Sequence, residues 1–234
     1  MAMQYRDHGI AQNMRKAKRF NCRTIQRQRL YSRTVISFII PYRDRHEHLT
    51  KWLAAFSKYY PYKKEILIIE QADDKPFNRG KLLNIGAIYS AGTHLVFHDV
   101  DMIPAHGRHY NEGYQEAAGV TQLAKSNIQL NDYLGGVTMF DSDTFFAVGG
   151  YSNKFFSRAE DNECRFNLYR HNIPVVNRFM PFIEMKHDRP YVEFDPKLWA
   201  KAQLPRIMDG VTNCKFELVE IVDKIGYRLI RVSL

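Results

Sequence analysis

Two aspartates two residues apart, Asp99 and Asp101, interrupt the apolar run Leu95-Val96-Phe97-His98-Asp99-Val100-Asp101-Met102-Ile103-Pro104. Strand side chains alternate faces, so the spacing predicts two carboxylates side by side at the end of a buried strand. Paired carboxylates repel unless something positive lies between them. A hard divalent cation is the natural partner, and such a cation commonly arrives with phosphate oxygens. The pair therefore reads as a site for a metal-bound nucleotide or nucleotide-sugar. A strand-end loop with two solvated acids is the plainer alternative, but it gives no reason for Met102-Ile103-Pro104 directly after the acids.

Five further groups have chemistry in reach. Pro41-Tyr42-Arg43-Asp44-Arg45 follows an apolar segment. Arg43 and Arg45 suit a diphosphate clamp and Tyr42 suits stacking on a base. Asn78, Arg79 and Lys81 open a helical stretch and point to nucleotide or sugar contact. Gly135-Gly136, preceded by Tyr133, allows close approach of backbone to ligand. Glu160-Asp161 offers a carboxylate to deprotonate an attacking hydroxyl. Glu184-x-x-His187 offers a carboxylate and an imidazole to complete a metal shell. Taken singly, each is equally a turn, a helix start or a solvated strand end.

The elements that must position these groups follow from periodicity. Thr34–Pro41, Glu65–Glu70 and His94–His98 read as buried strands. Residues 45–60 read as a helix capped by Asp44, with Leu49, Trp52, Leu53 and Phe56 on one face. Phe77–Ser90 reads as a second helix. Strand, helix, strand, helix, strand is the pattern of an open, mainly parallel α/β sheet, whose ligands bind beyond the carboxyl ends of the strands. Further on, a strand-like stretch follows Gly135-Gly136, and Asp141 or Ser142 caps a short helix. Ala159–His171 reads as a helix opened by acids, and Pro181–His187 as a short strand. Lys215–Val222 and Tyr227–Leu234 read as a C-terminal hairpin.

The chain has 234 residues, 45% of them hydrophobic, enough for one sizeable domain. Its formal charge of +9 is uneven. Residues 1–33 hold nine Lys or Arg against Asp7 alone, a net of +8, which leaves +1 for the other 201 residues. The expected organisation is a basic arm over 1–33 and a near-neutral α/β domain over 34–234. By charge alone such an arm suits anionic lipid, nucleic acid or an acidic polymer, or serves as a solubilising tail. With so neutral a body, no nucleic-acid partner is expected. Three widely spaced cysteines argue against a disulfide framework or a zinc cluster. No stretch of 18 apolar residues is present. The expectation is therefore a cytoplasmic protein without a transmembrane anchor, membrane-associated if at all through its arm.

In order and spacing, these segments resemble the β-1,4-galactosyltransferase family from about Thr34 to Leu234. Pro41-Tyr42-Arg43-Asp44-Arg45 is similar to its Pro-Phe-Arg-Asn-Arg turn. Phe77-Asn78-Arg79-Gly80-Lys81-Leu82-Leu83-Asn84-Ile85-Gly86 is similar to its Phe-Asn-Arg-Ala-Lys-Leu-Leu-Asn-Val-Gly helix. Phe97-His98-Asp99-Val100-Asp101-Met102-Ile103-Pro104 resembles its Phe-Ser-Asp-Val-Asp-Leu-Ile-Pro metal motif, and Tyr133-Leu134-Gly135-Gly136-Val137 its Tyr-Phe-Gly-Gly-Val segment.

The resemblance implies a GT-A-type α/β fold and an inverting, Mn²⁺-dependent glycosyltransferase that uses a UDP-sugar, most simply UDP-galactose. The acceptor would be a carbohydrate or glycolipid. It implies metal binding by Asp101 and His187, with Glu184 at a place where vertebrate members have methionine. Pro41, Tyr42, Arg43, Arg45, Arg79, Asp99, Val100, Tyr133, Gly135 and Gly136 would meet the nucleotide-sugar. Asp161 would be the catalytic base with Glu160 beside it. Where the family has Trp-Gly-Trp-Gly-Gly-Glu-Asp-Asp, this chain has Phe155-Phe156-Ser157-Arg158-Ala159-Glu160-Asp161-Asn162. The acids persist and the tryptophans and glycines do not, which leaves the acceptor open. Alternatives are a UDP-GalNAc or UDP-glucose transferase on the same fold, or a non-catalytic nucleotide-sugar or nucleic-acid binding module.

Overall fold

The computed structural model describes residues 36–60, 63–105, 119–124, 134–156, 159–186, 196–207 and 209–234, which fall within one compact unit. The basic arm, Tyr133 and His187 lie outside the described residues.

An apolar segment long enough for seven extended residues forms β1 (Ile36–Tyr42), and β2 (Lys64–Gln71) and β3 (His94–His98) flank it in parallel. The short β4 (Met102–Pro104) follows β3 directly. Beyond it come β5 (Val120–Ala124), β6 (Val137–Asp141), β7 (Val175–Asn177) and β8 (Phe182–Glu184). β9 (Glu217–Lys224) and β10 (Tyr227–Ser233) make the expected C-terminal hairpin. Among the described residues one eight-stranded sheet runs β7-β5-β6-β3-β1-β2-β10-β9, and β4 pairs with β8 in a separate two-stranded sheet. The run β3-β1-β2-β10 is paired in parallel, as are β5 and β7, and antiparallel pairing enters at β3–β6, β5–β6 and β9–β10.

Alternation along the central strands splits the core between two faces. Ile36, Phe38 and Ile40 of β1, with Ile66 and Ile68 of β2 and Val96 of β3, meet Leu49, Trp52 and Phe56 of helix α1 (His46–Tyr59). Ile39, Leu67, Ile69, Leu95 and Phe97 face the other way. They meet Leu82, Leu83 and Ile85 of α2 (Arg79–Tyr89), with Phe145 of α3 (Ser142–Ala147) and Cys164 and Leu168 of α4 (Glu160–Arg170). A helix α5 (Pro196–Ala202) packs on α4, where Trp199 meets Phe166 edge-on at 5.6 Å. Gly86 lets α2 lie directly on β1, because a Cβ there would sit 2.2 Å from a methyl of Ile39. Asp141 caps α3 as expected, accepting from the backbone of Asp143 and Thr144.

Three local expectations are corrected. Asp44 does not cap α1: Arg45 occupies that position without a side-chain bond, and Asp44 has left-handed backbone (φ 53°). Asn78 does not reach outward, because it is fully buried and its side chain caps α2 at Lys81 N, 2.9 Å. Asp99 and Asp101 are not on a strand. β3 ends at His98, and Met102 N–H closes a turn onto the Asp99 carbonyl at 3.2 Å. The pleat rule that placed the two carboxylates side by side applies only within a strand, and the turn sends them to different partners. Among the described residues no helix is long and apolar enough to cross a membrane.

Candidate active site

The turn after β3, the start of α2 and the start of α4 converge on the side chain of Arg79. Its Nε donates to Asp99 Oδ1 at 2.7 Å and its Nη1 to Asp161 Oδ1 at 2.6 Å, while Glu160 Oε1 lies 3.7 Å away. Burial works against this guanidinium's charge, but Asp161 and Asp99 outweigh it and hold the group more firmly protonated than a free arginine. Asp161 and Glu160 occupy the first turn of α4, where carboxylates meet the positive helix end. Burial raises the Asp161 carboxyl above its ordinary value, with Arg79 opposing. Glu160 rises to about 7, first through burial and then through the Asp161 charge. Its Oε2 is buried without a hydrogen-bond partner among the described residues, as is the Tyr151 hydroxyl.

The acidic turn is held from several sides. Gly136, with left-handed backbone (φ 85°), accepts from Asp99 N–H at 2.9 Å and donates to Asp99 Oδ2 at 3.1 Å. A side chain at Gly136 would be strained in that conformation, which is the physical use of the glycine pair. Gly135 carbonyl accepts from Gln122 at 2.7 Å. Val100 is buried. Asp101 is also buried, with Arg45 Nη1 at 3.9 Å from its Oδ2. Its carbonyl accepts from Met185 N–H at 2.7 Å, so the turn is stitched to the chain just past β8. Glu184 ends β8, exposed, opposite Met102.

The structure thus gathers Arg45, Arg79, Asp99, Asp101, Glu160, Asp161 and Gly136 at one end of the sheet. Arg43 lies beside them, bonded to Lys75 carbonyl at 2.7 Å and placed over the Phe77 ring. Pro41 and Tyr42 end β1, but Tyr42 is not presented for base stacking. Its ring is buried and its hydroxyl bonds His46 Nδ1 at 3.0 Å. Strand pattern alone could not tell the last inward position of β1 from the first outward one. Among the described residues no group of three or more His, Cys, Asp or Glu is assembled as a metal cage. The donor chemistry nonetheless fits a hard cation, since Asp99, Asp101 and Asp161 outnumber Arg45 and Arg79 and, with Glu160, leave a surplus of oxygen ligands.

Residues that the sequence did not mark frame this site. His98 ends β3 under the acidic turn, and a polar ring closing the apolar run Leu95-Val96-Phe97 was its only signal. Arg206 donates to both carboxyl oxygens of Glu163 on α4 and, at 2.6 Å, to Gly150 carbonyl. Asn84 bonds Tyr151 backbone on both sides, at 2.8 Å each. Together these contacts fix the segment leading into α4. In the stretch before Glu160, Phe155 is buried beneath Lys201 Nζ at 5.4 Å and Phe156 is half exposed.

A family model described as the N-terminal region of glycosyl transferase group 7 matches residues 8–113, beginning inside the basic segment. Beta-1,4-galactosyltransferase 4 of Cricetulus griseus is 28% identical over 231 residues, covering 91% of this chain. The chain spans 64% of the length of that relative. The catalytic domain of Drosophila beta-1,4-galactosyltransferase 7, in complex with xylobiose, superposes with a TM-score of 0.76 at 18% identity, covering 86% of this chain and 94% of that one. A mutant of the same enzyme in complex with manganese, UDP-Gal and xylobiose gives a TM-score of 0.74 at 18% identity and the same coverage. The sheet flanked by helices is therefore of the GT-A type, and in its ordered motifs and its matching relatives the chain is similar to the β-1,4-galactosyltransferases.

Proposed function

We propose that this protein is an inverting, metal-dependent glycosyltransferase that moves a sugar, galactose before others, from a UDP-sugar to a sugar hydroxyl. The observation that carries the proposal is the convergence on Arg79. One buried guanidinium holds Asp161 at 2.6 Å and Asp99 at 2.7 Å, which joins a candidate base to the acidic turn.

In this reading residues 34–234 form the transferase domain and 1–33 the basic arm. Asp101, Glu184 and His187 would hold a divalent cation such as Mn²⁺. Bound there, the cation would offset charge on the departing diphosphate. Arg43 and Arg45 orient the diphosphate from the end of β1. Asp99, with Val100, Gly135 and Gly136, lines the donor side, and Tyr133 would contact the donor as the resemblance implies. Asp161 takes the acceptor proton as the acceptor oxygen bonds to the anomeric carbon and the bond to UDP breaks. Its burial makes it a stronger base than a solvated aspartate. One inversion needs one base and no covalent intermediate. The neighbour crystallised with manganese, UDP-Gal and xylobiose supports this donor and cation.

The test is a donor screen of the purified chain with Mn²⁺, reading released UDP. UDP-galactose turnover that vanishes with chelator is expected. Turnover with UDP-GalNAc or UDP-glucose alone would reassign the donor, and no metal-dependent turnover with any UDP-sugar would overturn the proposal.

A further inference from the structure

The His98 ring is fully buried and touches three elements at once. Its Nδ1 lies 2.8 Å from the Asp99 carbonyl oxygen. A carbonyl can only accept, so Nδ1 carries the proton. Burial drives the imidazole pKa down to about 4, so near pH 7 the ring is neutral and Nε2 keeps its lone pair. The Trp52 indole N–H, which can only donate, lies 3.4 Å from Nε2 and 3.3 Å from Nδ1, and only Nε2 can accept it. Trp52 of α1 packs on the ring edge-on at 5.1 Å, and Phe182 of β8 does so at 5.7 Å.

The contacted groups are not arbitrary. α1 begins directly after Arg45, β8 ends in Glu184, and the Asp99 carbonyl is the one that closes the acidic turn by accepting Met102 N–H. The orientation of that carbonyl sets the peptide plane between Asp99 and Val100, and hence the direction in which Asp101 departs from the turn. Phenylalanine would fill the same space. The directed Nδ1–H bond is what packing alone does not require, and the family motif cited above has serine at this place.

We propose that His98 is a positioning residue: its Nδ1–H holds the Asp99 carbonyl, and so fixes the acidic turn in the shape that presents Asp101 to a cation–diphosphate ligand. The inference rests on the proposed metal role of Asp101, and its test separates the two.

Two variants divide bond from bulk. His98→Phe keeps a ring and deletes the donor. His98→Asn is smaller but places an amide N–H where Nδ1 stood. Binding of Mn²⁺ in the presence of UDP is read from the manganese paramagnetic resonance signal, with thermal melting in parallel. His98→Phe weakens Mn²⁺ binding about tenfold and His98→Asn recovers it to within about threefold, as expected for the loss and return of one buried hydrogen bond. Melting temperature follows the opposite order, because the smaller side chain leaves the larger void. A metal-free measurement stands beside these: ¹⁵N resonances of the His98 ring show the proton on Nδ1. A proton on Nε2, or Mn²⁺ binding by His98→Phe within about twofold of wild type, overturns the positioning role. Failure of the wild-type chain to bind Mn²⁺ with UDP overturns the functional reading instead, while the ring resonances still judge the clamp.

Discussion

Replacing Glu160 by glutamine should stabilise the protein at alkaline pH and leave it nearly unchanged in acid. Glu160 is buried beside Asp161, and its carboxyl keeps its proton up to about 7 against an ordinary value of 4.5. Between these values the unfolded chain has released a proton that the folded chain retains. The folded state then binds more protons, so this group's contribution lowers stability as pH rises through the window. At about 1.36 kcal/mol per pH unit, the full effect is about 3 kcal/mol, reached above about pH 8. For a domain of this size that is roughly 6–12 °C in melting temperature. Glutamine has nearly the same shape and no proton to lose. Melting curves of wild type and Glu160→Gln, recorded from about pH 4 to 9, should therefore diverge as pH rises, with the variant higher. Parallel curves, or a variant less stable at pH 8, would refute the burial argument for this cluster.

Asp161→Asn should abolish transfer while leaving UDP-sugar binding within about threefold of wild type, because asparagine keeps a bond to Arg79 and lacks the basic oxygen; equal losses of binding and turnover would count against the base assignment. Arg206→Met leaves Glu163 as an unpaired charge whose side chain is 4% exposed, and urea unfolding should show a loss of about 3–5 kcal/mol. Adding Glu163→Met should restore most of that loss, whereas additive losses would show that the two side chains do not act as a pair. Gly86→Ala pushes a methyl to 2.2 Å from Ile39 Cγ2, and should cost about 1–3 kcal/mol in the same assay.

What the sequence made legible was local. Alternating and helical periodicities located β1, β2, β3, α1, α2 and α4, because each buries a face defined within a few residues. The acidic pair and the Arg79 helix start were visible for the same reason: both are short and continuous. What was hidden depends on contacts across the chain. The end of β3 at His98 was read from the sequence, but nothing near Asp99 reveals that the turn after it binds Gly136 and Arg79. Tyr42 looked like an exposed ring because β1 was expected to end one residue earlier than it does. Arg206 and Glu163 are 43 positions apart, and Asn84 and Tyr151 are 67 apart. Pairs of that kind follow from the finished fold, not from local spacing. The four acids gathered near Arg45 and Arg79 come from two such distant stretches, 99–101 and 160–161.

The central claim is that the acidic turn binds a divalent cation together with a UDP-sugar diphosphate. Its most direct test is calorimetric titration of UDP-galactose into wild type and Asp101→Asn, each with Mn²⁺ and with chelator. Binding that requires Mn²⁺ in wild type and is lost in Asp101→Asn is the expected result. Equal affinity in all four titrations would contradict the account.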